Sequence, residues 1–198
     1  VGERKYASQL YRQLGELYLD KKRFLDCADV YRSFIDRYPV SPQAPEFQQQ
    51  VIDAYVAGHF PDKVLEAKRA FATTYAVHSA YWQLASSEIQ SFIAGKLTTY
   101  IDELALYHHA LAQKNQQSLS SEASVSSAQV RDEFRLAAYW YEEWIKSFPE
   151  ATDIAEKYFL SGETRFEAKD FELSIDAYEM VAYSYPEFED ATESGYAA

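Results

Sequence analysis

Residues 11–39 read YRQLGELYLDKKRFLDCADVYRSFIDRYP, and residues 158–186 read YFLSGETRFEAKDFELSIDAYEMVAYSYP. In both stretches a glycine, Gly15 or Gly162, stands nine residues before a phenylalanine, Phe24 or Phe171, which in turn stands fifteen before a proline, Pro39 or Pro186. Aromatic-proline pairs also mark the chain at large, at Tyr38-Pro39, Phe148-Pro149 and Tyr185-Pro186, with Tyr75-Ala76 at the matching place after the first. The intervals between these marks are 37, 73 and 37 residues, which is one period, nearly two, and one. A fixed period of this size is the mark of a repeat architecture.

The spacing inside each repeat is helical. Phe24, Cys27, Ala28, Tyr31, Phe34 and Tyr38 recur at three- and four-residue steps, as do Phe171, Ser174, Ile175, Tyr178, Val181, Ala182 and Tyr185. Such steps place side chains on one stripe of an α-helix, and the two-residue alternation of a strand is absent. Each proline then ends its helix, because it lacks an amide donor and pushes the preceding residue out of the α region. Gly15 and Gly162 on the first helix, with Cys27 and Ser174 on the second, are small enough for two antiparallel helices to approach closely. Tyr31 and Tyr178 share one repeat position and read as interhelix packing residues.

The spacing of Leu14, Gly15, Tyr18, Phe24, Cys27, Tyr31, Phe34 and Pro39 resembles the tetratricopeptide repeat (TPR), and the unit at about 155–188 matches nearly as well. The resemblance implies an all-α, right-handed superhelical solenoid of antiparallel helix pairs. Units are expected at about 8–41, 45–78, 97–151 and 155–188, with a truncated repeat from 190. The second unit departs from the pattern: Ile52 replaces the glycine, Pro61 and Val64 stand where an aromatic and a small residue belong, and Lys68 takes an aromatic position. In the third unit the second helix is recognisable through Phe134, Ala137, Tyr141, Trp144 and Pro149. The chain between Ala76 and Pro149 reads as an extra helix at 79–93, a helix at 97–116, a serine-rich loop at 118–127 and a long helix at 128–148. The helix at 97–116 is expected to pair with the long one, the alternative being a pairing of the first two.

Composition bounds the function. The chain has 198 residues, 47% apolar, 25% charged and 16% aromatic, with six Gly, six Pro and one Cys. That is enough to bury a core, which excludes a disordered tail, while a single cysteine excludes an internal disulfide framework. No window has the ~18 uninterrupted apolar residues of a membrane span, and the first residues lack the apolar centre of a signal peptide. The missing initiator Met and an end that falls inside a helix read as marks of an excised piece. Net charge is −12: up to residue 127 there are 13 Lys and Arg against 14 Asp and Glu, and from 128 onward 6 against 17. A surface this acidic repels nucleic-acid phosphate and anionic lipid.

Searched for chemistry, the residues offer no Gly-rich phosphate loop, nucleophile elbow or HExxH helix. Cys27 occupies the small-residue position of a helix pair with no His on a neighbouring turn and reads as a buried thiol. His108 and His109 are adjacent helical residues about 100° apart, poorly placed to chelate one ion, and no second ligand lies a turn away. The pairs Glu142-Glu143 and Glu189-Asp190 read as solvated charge. No catalytic, cofactor-binding or metal-binding residue is expected.

What the resemblance implies is a binding scaffold for protein or peptide segments. The unit ends VYRSFIDRYPVSPQAPEF and AYEMVAYSYPEFEDA look like the repeats of bacterial envelope proteins, among them the lipoprotein partner of the outer-membrane barrel assembly machine. That likeness implies a periplasmic or outer-membrane-associated assembly protein. The rival is a cytosolic adaptor gripping a partner's C-terminal carboxylate, which needs cations where this chain has Gln9, Arg12 and Glu16, and Glu156, Phe159 and Glu163. In the family the first helix of each pair lines the concave face. The implied groove is Gln9, Arg12, Glu16, Leu19 and Asp20 in the first unit, Glu46, Gln49 and Asp53 in the second, and Glu156, Phe159, Glu163, Phe166 and Glu167 in the last. Phe159 and Phe166 either pack against the next repeat or anchor a partner; in the latter case apolar residues with Lys or Arg suit the acidic rim.

Overall fold

The structure is a computed structural model that describes residues 6–119 and 126–198. All regular structure among those residues is helical: α1 (Ala7–Asp20), α2 (Phe24–Arg37), α3 (Ala44–Ala57), α4 (Pro61–Thr74), α5 (Ala80–Leu84), α6 (Ser87–Ser118), α7 (Ser127–Ser147), α8 (Ile154–Glu167), α9 (Phe171–Ser184) and α10 (Ala191–Ala197). The chain divides into two compact units, Val1–Leu97 and Thr98–Ala198, and the division falls within α6. In the first unit α1 packs on α2, α2 on α3 and α3 on α4; in the second α7 packs on α8, α8 on α9 and α9 on α10.

The 37-residue period survives in the backbone. Helices α1 to α4, α8 and α9 are all 14 residues long. The first and third begin at Ala7 and Ala44, and α8 and α10 begin at Ile154 and Ala191. Within a pair the link is the same three times. Lys22, His59 and Lys169 have φ of 56°, 58° and 68°, the left-handed region. Each donates its amide to the carbonyl three residues back, and the next residue donates five back: Arg23 to Tyr18 at 2.9 Å, Phe60 to Tyr55 at 3.0 Å, Asp170 to Arg165 at 2.9 Å. This double bond pattern satisfies the orphan carbonyls of a helix end and turns the chain back on itself.

Between pairs the aromatic-proline marks set a second common geometry. Tyr38, Phe148 and Tyr185 cap their helices at φ/ψ of −133°/59°, −135°/59° and −130°/57°. Tyr75, which is followed by alanine, sits at −108°/16°, close to helical values. A following proline excludes the α region, and its absence lets Tyr75 stay near it. After each proline the same relay of amides continues, Ser41 to Tyr38 and Ala44 to Ser41, then Ala151 to Phe148 and Ile154 to Ala151, then Phe188 to Tyr185 and Ala191 to Phe188.

Packing within a pair rests on a ring against a glycine. A Cβ built on Gly15 would lie 2.2 Å from Tyr31 Cε1, and one on Gly162 would lie 2.8 Å from Tyr178 Cε1. Tyr31 and Tyr178 are buried, as their shared repeat position predicts. Ser174 Oγ donates to the Gly162 carbonyl at 2.9 Å, and Cys27, at the equivalent place, is fully buried. The next helix then closes over the rings: Phe34 stacks on Phe47 at 4.0 Å, and Tyr31 meets Phe47 at 5.5 Å. In the second pair Ile52 is buried in the glycine position, Lys68 is half-buried in the tyrosine position, and Pro61 opens α4. The pair forms despite these departures, since Pro is tolerated at a first helical position.

The expected helices at 79–93 and 97–116 are replaced by a five-residue α5 and a 32-residue α6. The break falls at Ala85, which is extended with ψ 144°. Ser86 opens α6, its carbonyl accepting from Gln90 at 2.8 Å, and a serine there competes with helix continuation while capping the helix that follows. Gly95, the natural place for a break, faces open space and leaves the helix intact. The short α5 is tied back by Tyr81 Oη, which donates to the Ser41 carbonyl at 2.7 Å. Of the serine-rich loop, Ser118 ends α6 and Ser126 caps α7 by a box with Gln129, while residues 120–125 lie outside the described residues.

Left-handed backbone at a non-glycine residue costs on the order of 1 kcal/mol, and the turn keeps its two bonds with glycine in place. Lys22→Gly is therefore expected to stabilise the chain by up to about 1 kcal/mol in urea unfolding. A loss of stability would mean that the Lys22 side chain, and not its backbone, holds the turn.

Candidate functional site

The second unit holds a groove built from α6, α7, α8 and α9. The C-terminal half of α6 lies against α7 and α8 through side chains that reach both. His108 Nδ1 meets Glu133 Oε2 at 2.7 Å, His109 Nδ1 meets the Tyr141 hydroxyl at 3.2 Å, and Gln116 Nε2 donates to Glu167 Oε2 at 2.8 Å. Lys157 Nζ on α8, almost fully buried, donates to Asp102 Oδ1 at 2.6 Å and lies 5.4 Å from the Trp144 ring centre. Helices α7 and α8 are joined in turn by Arg165 to Glu142 at 2.7 Å, while Arg135 on α7 reaches Asp170 at 2.8 Å.

These contacts leave a cavity of about 170 Å³ lined by His109, Gln113 and Gln116 of α6, Phe134 of α7, Glu163, Phe166 and Glu167 of α8, and Tyr178 of α9. Of its lining, Phe134 and Tyr178 are buried, Glu163 and Glu167 are half-buried, and Phe166 is exposed. Phe166 is 46% exposed and meets Phe171 edge-on at 5.5 Å. Burial raises the Glu163 carboxyl above the usual carboxylate range, and Asp190, Glu193 and Glu167 push it further the same way. Among the described residues Glu163 has no hydrogen-bond or ion-pair partner. The Tyr178 hydroxyl is pushed up to about 12, by burial first and then by Glu163, Glu193 and Glu167. Burial lowers the His109 pKa, so its ring is neutral at pH 7, donating from Nδ1 to Tyr141 and accepting from Gln113 at Nε2.

The groove residues read from the sequence divide between the units. Gln9, Glu16, Leu19 and Asp20 are exposed on α1. Arg12 is engaged by Glu46 at 3.1 Å and lies 5.3 Å from the Phe47 ring centre, while Gln49 donates to Asp53 at 2.8 Å. In the second unit Glu163, Phe166 and Glu167 come together on the groove, and Glu156 is exposed but outside its lining. Phe159 is half-buried and packs at 5.9 Å from Tyr178 and 6.1 Å from Phe188, so it serves the helix packing. What the repeat pattern missed is the α6 wall of His109, Gln113 and Gln116, with Phe134 and Tyr178. The available signal was the pairing of 97–116 with the long helix, which puts one face of α6 where a first helix of a pair would stand.

A cavity of about 270 Å³ in the first unit, between α2, α3 and α4, is larger and is lined by Arg32, Asp36, Gln48, Lys63 and Glu66 among others. Gln48 donates to the Ala67 carbonyl at 3.1 Å, and Arg32 is held by the Tyr55 hydroxyl. Cys27 is buried, and burial pushes its thiol up, away from the reactive thiolate. No group of three His, Cys, Asp or Glu side chains is placed to hold a metal ion among the described residues, and no helix there is long and apolar enough to cross a membrane. A scan against protein-family models matches none of them, and comparison with curated proteins finds no match.

A carboxyl raised by folding destabilises the fold where it is ionised and ceases to do so once pH falls through its folded value. Glu163→Gln is therefore expected to raise the melting temperature at neutral pH, with a gain that narrows on acidification. A constant gain, or none, in thermal melts followed by circular dichroism across that range would contradict the strained carboxylate.

Proposed function

We propose that this chain is a non-catalytic protein-interaction scaffold, a TPR-like solenoid segment that serves a bacterial envelope assembly in the periplasm or at the outer membrane. The recurring left-handed turn and aromatic-proline cap support the repeat reading. The observation that carries the interaction reading is the groove of the second unit, where half-exposed Phe166 stands beside Glu163, a carboxylate without a cation. A partner segment with an apolar side chain beside Lys or Arg fits it. The apolar group covers Phe166 and Phe134, and the cation neutralises Glu163 and Glu167. In such a contact the buried aromatic supplies most of the affinity, while the charges set the encounter rate and the salt dependence. The groove is acidic where a carboxylate-gripping adaptor needs cations, which favours a basic partner.

The test is fluorescence anisotropy with labelled peptides that alternate Leu or Phe with Lys or Arg, against peptides carrying Glu in place of the basic residues. Binding is expected for the basic set alone. Phe166→Ala should weaken it about tenfold at any salt concentration, and Glu163→Gln should weaken it at low salt and much less at high salt. If both variants bind as the parent does, the groove is not the binding surface.

A further inference from the structure

The helix bounds from the end of α2 to the end of α4 recur from α7 to α9: Arg37, Ala44, Ala57, Pro61 and Thr74 answer to Ser147, Ile154, Glu167, Phe171 and Ser184. The two runs fill the space between their three helices differently. In the second, Arg165 of α8 reaches Glu142 of α7 at 2.7 Å, and α9 carries Met180. The equivalent positions in the first are Tyr55, Arg32 and Ala70. A phenol stands for the guanidinium and a guanidinium for the carboxylate, so Arg32 donates to the Tyr55 hydroxyl instead of closing an ion pair. Among the described residues its nearest carboxylate is that of Asp29, 4.0 Å away.

Alanine in place of methionine leaves room, and a cavity of about 270 Å³ lies there between α2, α3 and α4. Lys63 Nζ stands 5.8 Å from the Tyr55 ring centre, so two cations attend one phenol. Asp36, a turn after Arg32, and Glu66, a turn after Lys63, line the same cavity. Charges at these spacings can pair along their own helices. Here they do not: among the described residues Asp36, Lys63 and Glu66 form no ion pair. Buried Val51 and Ala67 supply an apolar wall.

We propose that this cavity binds a free α-amino acid with an apolar side chain. Its carboxylate stands between Arg32 and Lys63, restoring the guanidinium–carboxylate pair that the second unit builds from its own residues. Its ammonium meets Asp36 and Glu66, and its side chain takes the room that Met180 fills in the later run. A ligand with one charge would leave either the two cations or the two carboxylates unanswered, and a peptide end carries only one. Sites for drug-sized ligands begin at roughly 300 Å³, so a cavity of this volume suits a smaller molecule. The site lies within the first unit and is independent of the groove of the second.

An amide NMR titration of the 198-residue chain with L-leucine and L-methionine tests the proposal. Saturable shifts are expected at the amides of Lys63, Ala67 and Ala70, with a Kd below about 1 mM. N-acetyl-leucine lacks the ammonium and leucinamide the carboxylate, and each is expected to bind at least about tenfold more weakly than leucine. Ala70→Met, which copies Met180 at an exposed position, should abolish the shifts and leave the melting curve unchanged. Arg32→Glu combined with Tyr55→Arg installs the ion pair of the second unit and should abolish them as well; where that double variant does not fold, Ala70→Met decides. The absence of saturable shifts up to ~10 mM of either amino acid overturns the proposal. So do shifts centred outside α2, α3 and α4, equal binding of either blocked leucine, or binding that survives Ala70→Met.

Discussion

A tyrosine ring lying on a glycine sets the close approach of the helices in the first and last pairs. Where Tyr31 covers Gly15 and Tyr178 covers Gly162, no Cβ fits between the helices, and their separation is set by one ring's thickness. A three-residue link with one left-handed residue, Lys22 or Lys169, joins both of these pairs, and the same link with His59 joins the second pair, where Ile52 and Lys68 replace the glycine and the ring. The ring of Tyr31 also continues outward to Phe47, so the helix that follows is packed by the same residue that sets the pair. Interiors are dense enough that a single methyl in the wrong place is felt, and here a methyl on either glycine would meet a ring within 3 Å.

The periodic part of this structure was open to reading from sequence because its marks act locally. Proline restricts its own neighbour, and glycine answers to one ring, so Tyr38, Phe148 and Tyr185 adopt one geometry wherever they occur. The middle of the chain was not legible for the converse reason. Gly95 looks like a helix end but borders open space, whereas Ala85 and Ser86, unremarked in composition, are where the helix breaks. Intrinsic propensity alone favours the opposite outcome, glycine being about 1 kcal/mol worse than alanine inside a helix, so capping decides it. The groove was half legible. Glu163, Phe166 and Glu167 follow from the repeat register, but His109, Gln113 and Gln116 belong to a helix whose partner lies beyond a serine-rich tract. Phe159, two turns from Phe166 on the same helix, packs inward because Phe188 reaches it from the following turn.

Electrostatics separates the paired charges of the second unit from Glu163. Lys157 with Asp102 and Arg165 with Glu142 join helices of the second unit at 2.6 and 2.7 Å, and breaking either pair would strand a charge in a poorly solvated place. Glu163 stands apart from that network, its carboxyl raised by burial and by its acidic neighbours. A fold that tolerates such a group holds free energy that a bound cation would release, and natural proteins commonly concentrate strain of this kind at functional sites. Phe166 beside it completes a surface with one apolar and one charged requirement.

The second pair is the place to test whether the ring and the glycine act as one exchangeable unit, since Ile52 and Lys68 stand at the positions of Gly15 and Tyr31. Urea unfolding of Ile52→Gly, Lys68→Tyr and the double variant forms a double-mutant cycle. Ile52→Gly alone removes a buried side chain and should cost about 3 kcal/mol or more, and Lys68→Tyr alone should be destabilising because its ring meets Ile52. If the ring-on-glycine contact governs the pair, the double variant recovers at least about 1.5 kcal/mol relative to the sum of the single changes. Additive costs would show that the two positions do not meet, and the contact could not then be what sets the helix pairs.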